Sequence, residues 1–252
     1  MNFYAIIIGT EILNGRRSDK HFEFLKNELA NYGHELFASF VIKDDEELMR
    51  KTFEFVKSDE DAVIFSFGGI GSTPDDLTRA ISAEVFTQKP LKRHEEFFND
   101  ILKKFGDEAY PHRVFMSDLP EGASLLFNPI NNMSGYALQN RYFFVPGFPQ
   151  MAHPMLKDVI KKHFSLSKEK FRYTLLATTS ENQLITLMQE LPKDIELSSL
   201  PMIKEEGVFV ELSLSGYEKE KVKRYFQGFC DALDKKDIDY KIIQKEKDET
   251  KR

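Results

Sequence analysis

Glycines and aspartates stand side by side in residues 65–80, FSFGGIGSTPDDLTRA. A glycine turn between a strand and a helix can hold phosphate oxygens on its backbone N–H groups, here those of residues 69–72. The neighbouring carboxylates of Asp75 and Asp76 would repel phosphate. A hard divalent cation held by either carboxylate, directly or through water, would bridge carboxylate and phosphate and remove that repulsion. The stretch therefore favours a site for a metal ion and a phosphate.

A second interpretation of the same stretch needs no ligand. Thr73 can be the N-cap of a helix whose first residue is Pro74, and Asp76 then completes a capping box. This explains TPDD but not the three glycines of GGIG directly before the serine and threonine. Because short glycine motifs are weak evidence, spacing alone leaves both interpretations open.

A second glycine turn, GTEILNG at residues 9–15, follows another apolar run. If both runs are parallel strands, their carboxyl ends meet at one edge of the sheet, where ligands bind in such folds. Thr10 and Glu11 then reach the same crevice as Asp75 and Asp76. The alternative for this turn alone is a loop with a salt-bridged glutamate.

Strand and helix patterns alternate in the first half of the chain and must position these turns. Continuous apolar runs predict buried strands, and apolar residues at helical spacing predict amphipathic helices. We expect Ser18 to cap the first helix and Gly33 to end it. A β-α-β-α-β-α order predicts an α/β fold with a mostly parallel sheet covered by helices. The expected strands are 2–9, 34–42 and 61–67, and the expected helices are 18–33, 44–58 and 76–86.

The pattern changes after this alternation. A helix is expected within 90–110, short strands that can pair antiparallel lie in 122–147, and a helix with Pro154 inside it closes the domain at 149–164. From 170 to 243 the order β-α-β-β-α-β predicts a smaller two-layer α+β domain. We therefore expect one domain over 1–166, a second over 170–243 and a disordered tail at 244–252.

Composition restricts the classes of function. The net charge of −6 argues against broad binding to nucleic acid or a membrane surface. A single cysteine, Cys230, excludes an intrachain disulfide and a cysteine-based zinc site. The N-terminus lacks the features of a signal peptide, and no apolar run is long enough to span a membrane. We expect a cytoplasmic protein.

The two glycine motifs together resemble the N-terminal domain of the CinA (competence/damage-inducible protein) family. GTEILNG is similar to the family's G-T-E-L-L-x-G, and GGIGSTPDDLT is similar to G-G-L-G-P-T-x-D-D-L-T. Weaker similarities follow in LPEGASLLFNP (119–129) and VPGFPQM (145–151). The resemblance implies the molybdopterin-binding fold of the MoaB and MogA proteins, with a small KH-like domain over 171–243.

The same resemblance implies an activity. It implies hydrolysis of a nucleotide pyrophosphate, with ADP-ribose as the usual substrate and FAD-type compounds as further ones. The cofactor would be a divalent metal (Mg, Mn or Co), with K as an additional ion. The resemblance implies a dimer or a trimer, and of these we expect a homodimer. By resemblance, Asp75, Asp76 and Glu11 are the catalytic and metal-binding candidates. The candidates for binding the phosphorylated ligand are Gly9, Thr10, Gly68, Gly69, Gly71, Ser72, Thr73, Gly135 and Gly147.

Departures from the family pattern concern the second half of the expected pocket. Phe115 stands where a basic residue is usual, with His112 and Arg113 nearby. NNMSG (131–135) replaces G-T-A-P-G, Gln150 or Met151 replaces a glutamate, and His21 replaces an asparagine. No segment matching the family's amidase domain follows in the sequence, so we expect no deamidation of nicotinamide mononucleotide.

Three hypotheses follow in order of preference. The first is the metal-dependent pyrophosphatase. The second is a non-catalytic protein that binds a molybdopterin-like or nucleotide ligand in the altered pocket. The third is an interaction protein that has lost the site, in which case Asp75→Ala and Asp76→Ala would leave cellular function unchanged. The sequence does not name the substrate, the preferred metal or the carboxylate that acts as the base.

Overall fold

A six-stranded, mostly parallel sheet organises the first part of the chain. In this computed structural model, which describes residues 1–165, 170–205 and 207–243, the strand order is β2-β1-β3-β8-β7-β6. The pairs β2-β1, β1-β3 and β3-β8 are parallel, whereas β8-β7 and β7-β6 are antiparallel. The strands of this sheet are β1 (Asn2–Ile8), β2 (Leu36–Ile42), β3 (Ala62–Phe67), β6 (Ser124–Leu126), β7 (Gly135–Leu138) and β8 (Tyr142–Val145).

Helices cover both faces of this sheet. Alternate side chains of β1 point to opposite faces, and both sets are buried, as a parallel sheet requires. On one face Phe3, Ala5 and Ile7 join a core with helices α2 and α6. On the other, Tyr4, Ile6 and Ile8 join a core with helices α3, α4 and α5. These helices are α2 (His21–Ala30), α3 (Glu46–Lys57), α4 (Thr78–Ser82), α5 (Glu95–Phe105) and α6 (Pro149–His163), and a single turn, α1 (Thr10–Leu13), precedes them.

The expected α/β class with its mostly parallel sheet is confirmed, and several boundaries differ. α2 begins at His21, not at Ser18, because the Asp19 carboxylate accepts the N–H groups of His21 and Phe22. The turn at 9–15, expected as a loop, contains α1. Pro154 inside the last helix predicts either an early kink or a late start, and α6 begins at Pro149 and continues through Pro154, so the start is not late.

The helix expected over 76–86 differs most from its prediction. α4 begins at Thr78, and after one short segment the backbone widens into a π-helix over Ala83–Thr87. Short elements flank α5 in the sequence. β4 (Lys92–Arg93) precedes it, and two 3-10 segments, Gly106–Ala109 and Arg113–Ser117, follow it and lead to β5 (Asp118–Leu119), which pairs with β4.

The chain forms two compact units, Met1–Ser167 and Lys168–Arg252. The elements of the second unit are β9 (Phe171–Ala177), α7 (Ile185–Gln189), β10 (Glu196–Lys204), β11 (Gly207–Gly216), α8 (Lys219–Lys235) and β12 (Tyr240–Ile243). They form an antiparallel sheet in the order β10-β11-β9-β12, with α8 packed on β9 and β11. The predicted order β-α-β-β-α-β is observed here, and a 3-10 turn, Glu181–Gln183, precedes the short α7.

Three further expectations concern the tail, the membrane and the second unit. The tail expected over 244–252 lies outside the described residues. Within the described ranges, no helix combines the length and apolar character needed to cross a bilayer. The KH-like assignment of the second unit stays a prediction.

Candidate functional site

A cavity of about 580 Å³ lies where β1, β3 and β8 end in the first unit. Parallel register brings these carboxyl ends together, and Gly68 N–H donates to Val145 O at 2.9 Å just past the paired strands. The lining residues, in chain order, are Ile8, Glu11, Arg17, Asp44, Gly68, Gly69, Ile70, Gly71, Ser72, Thr73, Asp75, Asp76, Phe97, Phe105, Arg113, Met116, Asn131, Met133, Ser134, Pro146, Gly147, Phe148 and Met151.

The glycine turn after β3 requires glycine at two positions. Gly68 and Gly69 have φ angles of +99° and +67°, in the region that side chains disfavour. A Cβ at Gly68 would lie 2.5 Å from Ile8 O, and a Cβ at Gly69 would overlap Thr78 Oγ1. Buried Thr78 fixes the turn, because its hydroxyl donates to Gly68 O at 2.9 Å and its N–H donates to Gly69 O at 3.0 Å.

Asp76 is held against this turn by Thr73. The Thr73 N–H and hydroxyl both donate to Asp76 Oδ2, at 2.8 and 2.6 Å, and Asp76 N–H donates to Thr73 O. The expected capping-box contact from Asp76 therefore exists, but the helix starts only at Thr78, so the assignment of Thr73 as N-cap and Pro74 as first helical residue is wrong. A Cβ at Gly71 would lie 2.5 Å from Asp76 Oδ2, so this glycine lets the carboxylate approach the backbone. Asp75 is exposed in the cavity wall.

The first glycine turn contributes Glu11 to the cavity but not Gly9 or Thr10. Glu11 folds back over Gly9, where an added Cβ would lie 3.0 Å from Oε2, and Glu11 Oε1 forms an ion pair with Arg17 at 3.6 Å. Thr10 binds Asp44 instead, since its N–H and hydroxyl donate to Asp44 Oδ2 at 2.8 and 2.9 Å. Asp44 itself lines the cavity and was missed as a site residue. Its position directly after the second predicted strand was the available signal.

The carboxylates of this cavity suit a shared ion better than a protein-only metal cage. Within the described part of the chain, no three His, Cys, Asp or Glu side chains are grouped closely enough to bind a metal ion by themselves. Magnesium usually binds to one or two carboxylates and completes its shell with water and substrate phosphate oxygens. Asp75 and Asp76, which follow the glycine turn closely in the sequence, fit that kind of partial ligand set.

The remaining lining is largely apolar, with Arg17 and Arg113 among its described residues. The side chains of Phe97, Phe105, Met116, Met133 and Met151 form the apolar part of the cavity, which we call the Met–Phe wall. Asn131 joins the wall together, because its Oδ1 accepts the Met133 N–H at 2.9 Å and its Nδ2 donates to Met151 Sδ at 3.1 Å.

Each of these arginines lies over a phenyl ring. Arg113 lies 4.4 Å from the Phe105 ring centre and Arg17 lies 5.6 Å from that of Phe148. A guanidinium stacked in this way can still direct N–H donors toward a phosphate or a carbonyl.

Buried Arg79 adds a positive charge behind the glycine turn. The residue is only 8% exposed, and its Nη1 donates to Ile70 O at 3.2 Å. Its Nε has no hydrogen-bond partner among the described residues. Burial lowers the pKa of the guanidinium, and nearby Tyr136, Asp76 and Asp118 oppose that shift. A buried guanidinium is rare without a partner carboxylate. Because Arg79 Nη1 donates to Ile70 O, its positive charge lies next to the glycine turn. Nothing in the sequence pattern singled out Arg79.

Several predicted positions lie elsewhere. Gly135 is buried in β7, where a Cβ would overlap Phe144 O, so its small size serves sheet packing and it does not line the cavity. Gly147 does line it, and an added Cβ there would lie 3.4 Å from Gly68 Cα. Phe115 and Gln150 are absent from the lining, whereas Arg113 and Met151 belong to it.

Comparison with known proteins gives matches over the same region. The family described as "Probable molybdopterin binding domain" matches residues 4–165. A CinA-like protein of Nostoc punctiforme is 33% identical over 165 residues, which cover 63% of this chain and 39% of that relative. A protein of Archaeoglobus fulgidus is 23% identical over 240 residues, which cover 94% of this chain and all of that relative. The structure of CinA from Thermoplasma acidophilum, described as of unknown function, matches with a TM-score of 0.58 and 28% identity over 64% of this chain and 98% of that chain.

The chain spans about two fifths of the length of the first CinA-like relatives that it matches. These matches confirm the resemblance to CinA-like proteins and to the molybdopterin-binding fold.

Proposed function

Because the chain belongs to the family of probable molybdopterin-binding domains, we propose that its cavity binds a phosphorylated small molecule with a flat heterocycle. We further propose that it hydrolyses a nucleotide pyrophosphate such as ADP-ribose in the presence of a divalent cation. The observation that carries both proposals is the mixed lining of one cavity. A glycine turn with two aspartates supplies the phosphate side, and the Met–Phe wall supplies an apolar surface for a heterocycle.

On the phosphate side, the backbone N–H groups of residues 69–72 would bind phosphate oxygens, and Asp75 and Asp76 would hold the cation. The bound cation would neutralise phosphate charge and lower the pKa of a coordinated water. Asp76 Oδ2 accepts two hydrogen bonds from Thr73, which orient this carboxylate beside the glycine turn and support the proposed role. Glu11 and Asp75 are then the candidates for accepting the proton of the attacking water. Attack on phosphorus breaks the bond to the bridging oxygen and releases AMP and ribose 5-phosphate from ADP-ribose.

On the heterocycle side, thioether and phenyl groups contact a planar ring through dispersion and sulfur–aromatic contacts. Arg17 and Arg113 are positioned to meet the phosphate or carbonyl oxygens of the same ligand. A purine nucleotide and a pterin phosphate share this combination of ring and anion, so the wall by itself suits either.

The test is hydrolysis of ADP-ribose and FAD by the purified chain with and without Mg²⁺ or Co²⁺, beside Asp76→Asn. Asp158→Asn, an exposed change on α6, is the matched control. We expect metal-dependent AMP release that falls at least about 100-fold in Asp76→Asn, of the order found when a catalytic electrostatic group is removed, and remains in Asp158→Asn. Equal activity in both variants would refute the role of Asp76.

A second candidate function is binding without turnover. It is favoured by the altered wall around Asn131, Met133 and Met151 and by the lack of a three-residue metal group among the described residues. Metal-dependent binding of ADP-ribose in calorimetry, with no product from any dinucleotide, would select it. The homodimer expected from the family stays a prediction that sedimentation can test.

A further inference from the structure

Two histidines form a chain of contacts that ends on the cavity. His21, the first residue of α2, is 3% exposed and its ring stacks on Phe67 with 4.3 Å between ring centres. Its Nε2 lies 3.3 Å from Gly147 O, and its Nδ1 lies 3.3 Å from His153 Nε2. His153, on α6, stacks in turn on Phe24 with ring centres 3.8 Å apart.

The direction of these hydrogen bonds follows from the acceptor at the end. A carbonyl oxygen can only accept, so His21 Nε2 carries the proton that Gly147 O receives. In a neutral ring Nδ1 of His21 is then an acceptor, and His153 Nε2–H must be its donor. When both rings are neutral, this pattern of contacts therefore places the proton of each ring on Nε2.

Gly147 is the middle residue of the segment Pro146, Gly147 and Phe148, all three of which line the cavity. Its Cα side packs against Gly68 of the glycine turn. Phe148 carries Arg17 over its ring. A shift of the Gly147 carbonyl would therefore move the backbone that packs against the glycine turn at Gly68, and also Arg17 on the Phe148 ring.

We propose that His21 is a positioning residue that fixes residues 146–148 at the cavity, and that His153 acts with it by setting the tautomer of the His21 ring. The proposal concerns the position of this segment and is independent of turnover. Only its consequence for ligand affinity rests on the proposed function.

Burial favours the neutral form of both rings near pH 7. Burial lowers the pKa of His21, the hydrogen bond to Gly147 O and the charge of Asp19 oppose that shift, and Arg17 reinforces it. Burial, His21 and Lys157 lower the pKa of His153 to about 4, against a smaller opposing effect of Asp19. Protonation of His21 at Nδ1 would turn two N–H groups toward each other across 3.3 Å and break the chain of contacts.

The experiment uses the full chain with uniform ¹⁵N labelling, and NMR follows the histidine ring nitrogens and the Gly147 and Phe148 amides at about pH 7.5, above the ordinary histidine pKa. We expect both rings protonated at Nε2 in the wild type. His21→Phe keeps a ring against Phe67 but removes the donor, and should shift both amides. His21→Gln places an amide nitrogen near the Nε2 position and should restore the wild-type amide shifts. His153→Phe keeps the stacking on Phe24 and should leave His21 as a mixture of tautomers.

Acid titration adds a readout that packing alone would not change. The Gly147 amide should shift with a midpoint below about 6.5, the ordinary histidine pKa, and His21→Gln should abolish that transition. An Nδ1–H tautomer at either ring, unchanged amides in His21→Phe, or the same midpoint in His21→Gln would overturn the proposal.

Ligand binding is measured separately, as the affinity for ADP-ribose with Mg²⁺. We expect at least a fivefold loss in His21→Phe and recovery in His21→Gln. If the wild type binds no ADP-ribose, the proposed function fails while the NMR result still decides the role of His21. If the wild type binds and His21→Phe binds equally well, the consequence for affinity is refuted.

Discussion

Replacing Gly69 by alanine tests how the glycine turn is held. Two effects add at this position, a left-handed backbone with φ of +67° and the overlap of the new Cβ with Thr78 Oγ1. A left-handed conformation costs a side-chain-bearing residue about 1–2 kcal/mol, and the stiffer unfolded chain returns about 0.4–1 kcal/mol. Displacing Thr78 loses its buried hydrogen bond to Gly68 O, at about 1–3 kcal/mol. We therefore expect Gly69→Ala to lower the free energy of unfolding by about 2–4 kcal/mol.

Gly15→Ala is the matched control for the backbone effect. Gly15 has φ of +79° and no atom within 4 Å of an added Cβ, and it lies in the same unit. Its replacement should cost only the backbone difference, about 0.5–1.5 kcal/mol. Urea unfolding followed by far-ultraviolet circular dichroism measures both variants, because the chain contains no tryptophan to report by fluorescence.

Thr78 provides the decisive comparison. If overlap with the Thr78 hydroxyl causes the additional loss of stability, Gly69→Ala in a Thr78→Ala background should lower the free energy of unfolding no more than Gly15→Ala does in the wild type. This non-additivity is expected only for side chains in contact. Two results would refute the proposed contact with Thr78. One is equal destabilisation by Gly69→Ala and Gly15→Ala, and the other is full additivity of Gly69→Ala and Thr78→Ala in the double variant. In the binding assay, Gly69→Ala should weaken ADP-ribose at least tenfold and Gly15→Ala less than twofold.

Two further predictions follow from buried charge. Arg79→Met should leave the free energy of unfolding within about 1 kcal/mol of the wild type or raise it, because an apolar chain of similar length replaces a buried guanidinium without a carboxylate partner. A calorimetric titration of this variant should show weaker binding of ADP-ribose. A loss of stability above about 3 kcal/mol would instead show that the charge is paired. For His153, whose pKa is lowered to about 4 in the folded chain, the unfolded state binds more protons between about pH 6.5 and 4, so stability falls as the pH falls through that range. Urea titrations at about pH 7 and 5 should show the wild type losing of the order of 1 kcal/mol more than His153→Phe, after allowance for the partial exposure of the ring; equal losses would contradict the lowered pKa.

The order of strands and helices was predictable because local signals and the fold agree. Residues 3–8 and 62–65 are continuous apolar runs, and such runs are buried on both faces of the central sheet. The meeting of the two glycine turns follows from parallel pairing alone, so the common location of Glu11, Asp75 and Asp76 at one cavity was predictable without any knowledge of contacts.

Features that depend on tertiary contacts were not predictable in this way. One such feature is the late start of α4. The Thr78 N–H and hydroxyl donate to the carbonyl oxygens of Gly69 and Gly68, so the helix begins at Thr78 and is not capped by Thr73. The Met–Phe wall is another, since its residues lie between 97 and 151 in the sequence and no periodicity connects them. The burial of Arg79 and its hydrogen bond to Ile70 O are a third such feature, because the sequence pattern around Arg79 is that of an ordinary helical residue.

The balance of charge at the cavity bears on the proposal that phosphate binds beside two aspartates. Among the described residues, the carboxylates of Glu11, Asp44, Asp75 and Asp76 line it, against the guanidiniums of Arg17 and Arg113. Thr10 and Thr73 donate to Asp44 and Asp76 with neutral groups, which orient these carboxylates but do not cancel their charge. Even with buried Arg79 counted, the negative groups exceed the positive ones, so a pyrophosphate on its own would be repelled. The proposed divalent cation would reverse this balance if it entered with the ligand, so we expect the affinity for ADP-ribose, measured without turnover, to depend already on the metal ion.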